Sequence, residues 1–280
     1  MNRTVRHLDQ STSPSTVRIV LLVASILLCG VAPRRASAEP TAAALADYDT
    51  YVRGLEIRLA RQHKAEAGFI VGVDEASGAM RERLRDGEFV VEPLASDVPS
   101  LPGAMLSHWR AMAFVAGARG SEFERVMRDF ARYPKMFAPE VLAAKVLEQS
   151  SDHMTMTMRV RQRHVITVVM DTAYDVDFFQ LDAAHGYSAS RSTQISEIAY
   201  ARTRYEHPLG ADEEHGFLWR QNTYWSYAER DGGLYLQVES VSLSRAIPHG
   251  LAWAVGPFVM SVPRESLEFT LRSVAKAMRR

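Results

Sequence analysis

Residues 217–244 read FLWRQNTYWSYAERDGGLYLQVESVSLS. Two runs, 217–229 and 234–244, carry aromatic and β-branched residues and flank Asp231-Gly232-Gly233, a strong hairpin signal. A two-residue turn at Asp231-Gly232, or a four-residue loop from Arg230 to Gly233, pairs Glu229 with Leu234. Tyr227 then faces Leu236, Trp225 faces Val238, Thr223 faces Ser240 and Gln221 faces Ser242. One face carries Trp219, Gln221, Thr223, Trp225, Tyr227, Leu236, Val238, Ser240 and Ser242. The other carries Arg220, Asn222, Tyr224, Arg230, Gln237 and Glu239, with Glu239 opposite Tyr224. A three-residue loop would slip the register by one and mix the two faces.

Strand signals continue upstream of the hairpin. In 153–161, Met154, Met156, Met158 and Val160 alternate with Thr155, Thr157, Arg159 and Arg161, a period of two. Residues 164–171, 174–181 and 190–201 read as further strands, and Leu106 to Ala116 as an earlier one. Helices bracket them. Leu45, Tyr48, Val52, Leu55 and Leu59 recur at spacings of three and four, which predicts an amphipathic helix over 42–63. The charged stretch 74–88 reads as a solvated helix or loop, and Asp97 to Gly103, with Pro99 and Pro102, as a loop. Ser121 and Glu124 fit a capping box ahead of Phe123, Val126, Met127 and Phe130. A second short helix or turn is expected over 139–145. At the C-terminus, 264–279 is amphipathic through Leu267, Leu271, Val274 and Met278. Gly256-Pro257 and Pro263 should break or restart that last helix.

Helix, strand, short helices, a run of antiparallel strands and a final long helix make an α+β chain, not an alternating βαβ one. A curved antiparallel sheet wrapped on the C-terminal helix buries both apolar faces.

Composition narrows the class. The 280 residues carry 33 basic and 33 acidic side chains, with 47% hydrophobic and 24% charged. That excludes a disordered chain, a fibre and a multi-span membrane protein, and the neutral balance argues against nucleic acid as a partner. One cysteine allows neither an internal disulfide nor a Cys-rich zinc site.

Residues 1–38 read as a cleaved secretory signal. Arg3, Arg6 and Arg18 form the basic end, Ile19 to Ala32 the apolar run and Ala36-Ser37-Ala38 the cleavage positions. The apolar run is short for a membrane anchor, which needs about 20 residues. Leu28 before Cys29 departs from a lipoprotein signal, and Arg34-Arg35 follows the apolar run, so it is no twin-arginine signal. With five arginines and Asp9 removed, the mature chain keeps 28 basic and 32 acidic residues, a net charge of −4. It holds no cysteine, which suits an oxidising periplasmic or extracellular space. Lysine occurs only at 64, 135, 145 and 276, an arginine bias that hints at a GC-rich bacterial genome.

The element order, with the segments Ser121–Pro139 (SEFERVMRDFARYPKMFAP) and Ser244–Trp253 (SRAIPHGLAW), resembles the START-like or SRPBCC superfamily. The first segment resembles that superfamily's early helical pair, which precedes a strand like Val141–Leu147; the second resembles the entry to its final helix. The resemblance covers about 105–280 and implies a helix-grip fold with a ligand cavity. Residues 39–104 are then an added N-terminal helical extension packed on the 105–280 domain. It leaves the chemistry open: superfamily members include lipid-transfer domains, birch-pollen-type allergens and polyketide cyclases.

Read from the residues, the predicted concave face is aromatic and aliphatic at its turn end and hydroxyl and amide at the other, as a pocket for an apolar ligand requires. Trp225, Tyr227 and Val238 also suit plain packing under the C-terminal helix. Met154, Met156 and Met158 form an adaptable stripe, and Trp253, Phe258 and Met260 face them from the helix. Arg159, Arg161 and Arg163 lie on the other face of their strand, as a solvated basic edge paired with neighbouring carboxylates or as contacts to acidic lipid headgroups.

No catalytic residue, metal site or cofactor is indicated. Gly186 to Ser190 lacks the second glycine of a nucleophile elbow, and there is no zinc-protease, P-loop or dinucleotide motif. Asp212, Glu213, Glu214 and His215, with His207, read as an exposed acidic loop. A cyclase or dehydratase would need an acid or base at the cavity, for which Glu197, His108 and Tyr187 are the candidates. The expected function is exported carriage of an apolar small molecule or lipid, with transient membrane contact and no oligomeric state specified. The alternatives are a cyclase-like enzyme and an envelope interaction protein whose cavity its own side chains fill.

Overall fold

The computed structural model describes residues 39–65, 67–94, 101, 103–163, 167–247 and 252–279, the side chains of 252–260 excepted. The expected signal segment 1–38 lies outside these residues, as do 164–166, most of the 97–103 loop, and the side chains of Trp253 and Phe258.

In chain order the elements are α1 (Ala42–Gln62), α2 (Ala79–Arg85), β1 (Val90–Pro93), β2 (Ala104–Ala116), α3 (Gly120–Arg128) and a 3-10 turn (Phe130–Arg132). There follow α4 (Tyr133–Met136), β3 (Val141–Gln149), β4 (His153–Arg163), β5 (Thr167–Gln180), β6 (His185–Ala199) and β7 (His207–Pro208). The chain closes with β8 (Arg220–Arg230), β9 (Gly233–Arg245) and α5 (Ala252–Met278). The strands form one nine-stranded sheet in the order β1-β2-β9-β8-β6-β5-β4-β3, antiparallel throughout, with β7 added beside β6. The sheet stays open, with β1 and β3 at its edges.

The hairpin has the expected register. Glu229 faces Leu234, Tyr227 faces Leu236, Trp225 faces Val238, Thr223 faces Ser240 and Gln221 faces Ser242. Its two-residue turn places Asp231 at φ 56° and Gly232 at φ 76°. Two consecutive positive φ values give the turn whose twist matches the flanking strands, and an Asp-Gly pair adopts them at least cost.

One core joins both ends of the sheet to α5. Leu267, Leu271, Val274 and Met278 are buried with Ala111, Ala113, Leu236, Val238, Trp225, Met154, Met156, Tyr174 and Phe178. Residues on β2 and on β4 share that core only because the sheet curls round the helix. Within this arrangement α5 packs over β1, β2 and β9 and against α3.

The opposite face of the sheet is covered as well. The side chains of Tyr48, Val52, Leu55 and Leu59 on α1 are buried against Ala189, Tyr224, Val241 and Leu243. Thr41 caps α1, its hydroxyl accepting from the Ala44 N–H at 3.1 Å. A further cluster places Phe69, Ile70, Val73 and Leu84 on Met112, Phe114 and Tyr235. Within the expected 39–104 extension, α1 and residues 69–84 therefore cover the convex side. That region is not all helical, because β1 pairs with β2 from Val90↔Met112 to Pro93↔Trp109.

Several local expectations are corrected. Residues 141–149 form the edge strand β3, and the helical turn falls earlier, at Tyr133–Met136. Alternating burial of Val141, Ala144 and Val146 against the core favours the strand. α3 begins at Gly120, so the cap is Arg119, whose backbone N–H donates to the Glu122 carboxylate at 3.0 Å. Glu124 instead accepts from the Tyr227 hydroxyl. The expected strand pair within 164–181 is one strand, Thr167–Gln180, carried through by continuous pairing with β4. α5 runs unbroken through Gly256, Pro257 and Pro263. Each proline removes one backbone donor, but the buried C-terminal face holds the helix to the sheet. Among the described residues, no helix is long and apolar enough to cross a membrane.

Candidate functional site

Beside α5, where the sheet curls away through β8, β6, β5 and β4, a cavity of about 480 Å³ remains. That volume lies within the range of small-molecule sites, about 300–1,000 Å³. Met156, Met158 and Val160 of β4 and Met170, Tyr174, Val176 and Phe178 of β5 form one wall. Trp225 forms the floor with Thr223 and Gln221 of β8, beside Ser188 and Ser190 of β6. Met127, Phe130, Tyr133 and Phe137 close one side, and Ser266, Phe269 and Thr270 of α5 close another.

The sequence places these groups by simple alternation. Tyr174, Val176 and Phe178 occupy every second position of β5 and are all buried. Trp225 packs its ring 5.4 Å from that of Phe123, so α3 fixes its orientation from behind. The Tyr133 hydroxyl donates to the Met127 carbonyl at 2.9 Å, and burial raises its pKa. That hydrogen bond ties the two helical pieces together over the cavity.

Two polar groups on the wall, Tyr174 and Gln221, satisfy each other. The Tyr174 hydroxyl donates to Gln221 Oε1 at 3.0 Å, and burial pushes Tyr174 up to about 12. It is a neutral donor, not a base, at ordinary pH. The Gln221 backbone N–H donates to the Ser192 hydroxyl at 2.9 Å. Four charged residues, Glu140, Arg161, Arg163 and Glu265, also belong to the lining.

Of the residues singled out from sequence, Gln221, Thr223, Trp225, Met156 and Met158 line this cavity. Tyr227, Leu236, Val238 and Met154 do not; they are buried in the core between sheet and α5. β9 sits beneath the helix, where Leu234, Leu236 and Val238 of its inner face are fully buried. Ser240 and Ser242 continue that row but stand apart from the cavity lining. Trp219 falls outside β8 and packs on the convex side with Ala44, Tyr48 and Leu243. The strand that would have turned it inward begins one residue later, at Arg220.

Sequence reading missed Tyr174, Val176 and Phe178, although their alternation was visible. It also missed Arg161, which it set on the outer face with Arg159 and Arg163. Arg159 does pair there, with Asp171 at 2.6 and 2.7 Å and with Glu206. Arg161 is buried and lines the cavity.

The acid–base candidates lie elsewhere. His108 and Glu239 are buried on the convex face, with His108 Nε2 3.1 Å from the Glu239 carboxylate. Arg110, Gln237 and Arg58 also donate to Glu239, and the Tyr51 hydroxyl bonds His108 Nδ1 at 2.7 Å. Glu197 accepts from the Gly216 and Phe217 N–H groups at 2.9 and 3.0 Å and bonds His215, which anchors the acidic loop. Tyr187 stacks on His63 with ring centroids 4.1 Å apart. Each of these groups holds local structure together. Among the described residues, no group of three or more His, Cys, Asp or Glu side chains is placed to hold a metal ion.

Against known proteins, no family model and no curated sequence matches the chain. Solved structures do. A STAR-related lipid transfer protein fragment from Xanthomonas axonopodis matches at 14% identity and a TM-score of 0.44, over 69% of this chain and 99% of that one. Human STARD10 matches at 10% identity and 0.46, over 75% and 81%. An aromatase/cyclase from a Streptomyces species matches at 17% identity and 0.39, over 63% and 96%. By element order and topology, the chain has a helix-grip architecture, an open curved antiparallel sheet packed on a long C-terminal helix. That fold hosts several chemistries, so function must be argued from the cavity itself.

Proposed function

We propose that this chain is an exported carrier of a hydrophobic small molecule or lipid, which it holds in the cavity between the curled sheet and α5. The carrying observation is the composition of the wall. Methionine, valine and aromatic side chains from β4, β5, β8 and the 127–137 segment surround a space of about 480 Å³. An apolar wall with a few placed polar groups suits capture of an apolar body. Methionines on one side let the wall adapt to variable chains or rings.

A carrier reading is favoured over a cyclase-like one by where the titratable groups sit. His108, Glu197 and Tyr187 are each committed to structural contacts away from the cavity. The tyrosine hydroxyls at the wall, Tyr133 and Tyr174, are held neutral by burial and already donate to the Met127 carbonyl and to Gln221. Export rests on the basic end, apolar run and small-residue cleavage positions of residues 1–38.

Native mass spectrometry of the protein isolated from the envelope fraction, followed by organic extraction, tests this reading. A mass excess released as an apolar compound is the expected result. Protein of bare mass, unchanged after incubation with envelope lipid extract, would overturn it.

A further inference from the structure

We propose that the ligand is an acidic amphiphile, with its anionic head on Arg161 and its apolar body along the methionine and aromatic walls; this deepens, and rests on, the carrier reading. Arg161 lies near the end of β4, where residues of both parities, Val160 to Arg163, line the cavity. Met154 and Met156 are the buried positions early in the strand, whereas Arg161, not Val160 or Gln162, is the buried one near its end. Its side chain is only 9% exposed.

The guanidinium is incompletely satisfied. Nη2 donates to the Pro139 carbonyl at 2.9 Å, and the backbone N–H donates to the Glu140 carbonyl at 2.7 Å. Nε is buried without an acceptor, and no carboxylate among the described residues forms an ion pair with the group. Arg159, two positions earlier, has both Asp171 oxygens and Glu206. An arginine stays charged at any ordinary pH, and a buried charge without a partner is costly. An anionic oxygen arriving through the cavity would supply the missing charge at Nη1, the guanidinium nitrogen not engaged by Pro139 and not sealed from the cavity as Nε is. Planar oxyanions, carboxylate or phosphate, match the guanidinium edge best.

The surroundings fit a single head at one end. Exposed Arg163, two positions along β4, adds positive charge, while Glu140, whose carbonyl accepts from the Arg161 N–H, also lines the cavity and disfavours a second anionic group. From Met170 to Phe178 the β5 wall extends about 26 Å, which suits an elongated body.

The test compares a long-chain fatty acid, the matched primary alcohol and the matched alkyl phosphate on the purified chain, by calorimetry. The acid or the phosphate should bind roughly ten- to a hundredfold more tightly than the alcohol, the worth of a charged hydrogen bond. Whichever anion binds more tightly identifies the head. Arg161→Met should abolish the preference and leave alcohol binding within a few fold. Arg161→Lys, which keeps the charge, should retain part of it. Equal binding of acid, phosphate and alcohol by the unaltered chain would overturn the Arg161 anchor and leave the carrier reading standing. Binding of none would overturn both.

Discussion

Arg110 and Glu239 face each other across β2 and β9, and Arg110 Nε donates to Glu239 Oε1 at 2.9 Å on the side of the sheet away from the cavity. The Glu239 side chain is fully buried. His108, Arg58 and Gln237 also converge on it, so α1 is pinned to the convex face by charge as well as by apolar contact. The layer that braces the sheet is thus chemically separate from the face that bears the cavity.

Glu239 should therefore govern acid stability. Burial alone would raise its pKa, but the His108 hydrogen bond and the Arg110 and Arg58 charges outweigh that and hold it at about 2. A carboxyl that titrates lower in the folded than in the unfolded state stabilises fully above the unfolded value, near 4.5, and loses that contribution as pH falls to about 2. The contribution is about 3 kcal/mol at neutral pH. Urea unfolding from pH 2 to 7 should show this acid limb. Glu239→Gln should flatten the limb and cost about 3 kcal/mol at pH 7, because the buried Arg110 and His108 lose the charge they converge on.

His63 should add a second, higher limb. It bonds the Ser226 hydroxyl at 2.8 Å, and burial pushes its pKa down to about 4. The unfolded chain takes up a proton near 6.5 that the folded chain refuses until about 4. Stability from this group is complete above 6.5 and falls as pH drops toward 4, at about 1.4 kcal/mol per pH unit. His63→Asn should remove that slope; an unchanged slope would place the titrating group elsewhere.

Trp225 serves both core and cavity. Its ring meets Phe123 on one side and the open space on the other. Trp225→Ala should cost about 3–5 kcal/mol in chemical unfolding and enlarge the cavity, with affinity for a slim apolar probe reduced.

Processing offers an independent check on export. Intact mass of the envelope form should begin at Glu39. A full-length, membrane-retained protein would contradict cleavage after Ala38.

The hairpin register was legible because Asp231-Gly232 admits one turn and every inward residue then follows by parity. The helix faces of α1 and α5 were legible for the same reason, through spacings of three and four. What lay between them was not. Parity says which face a residue takes, but strand order decides what covers that face. Val238 and Thr223 share one face, yet β9 falls under α5 and β8 falls beside the cavity. Nor does parity show that Glu239, on a face that could have met water, is roofed by Arg58 from 181 residues away. Arg161 escaped notice because it keeps the parity of Arg159 and Arg163 along β4, and only the packing at the strand's end buries it beside the cavity.

The central claim is that the space walled by Met156, Met158, Phe178 and Trp225 holds an apolar ligand. Thr223 and Ser190 face each other across β8 and β6, and both line that space. Titration of a fluorescent fatty-acid analogue into the unaltered chain and into Thr223→Phe, with circular dichroism to confirm folding, tests the claim most directly. The account predicts saturable one-to-one binding that the phenylalanine substitution weakens at least tenfold. No saturable binding by the unaltered chain, or equal affinity in the folded Thr223→Phe variant, would contradict it.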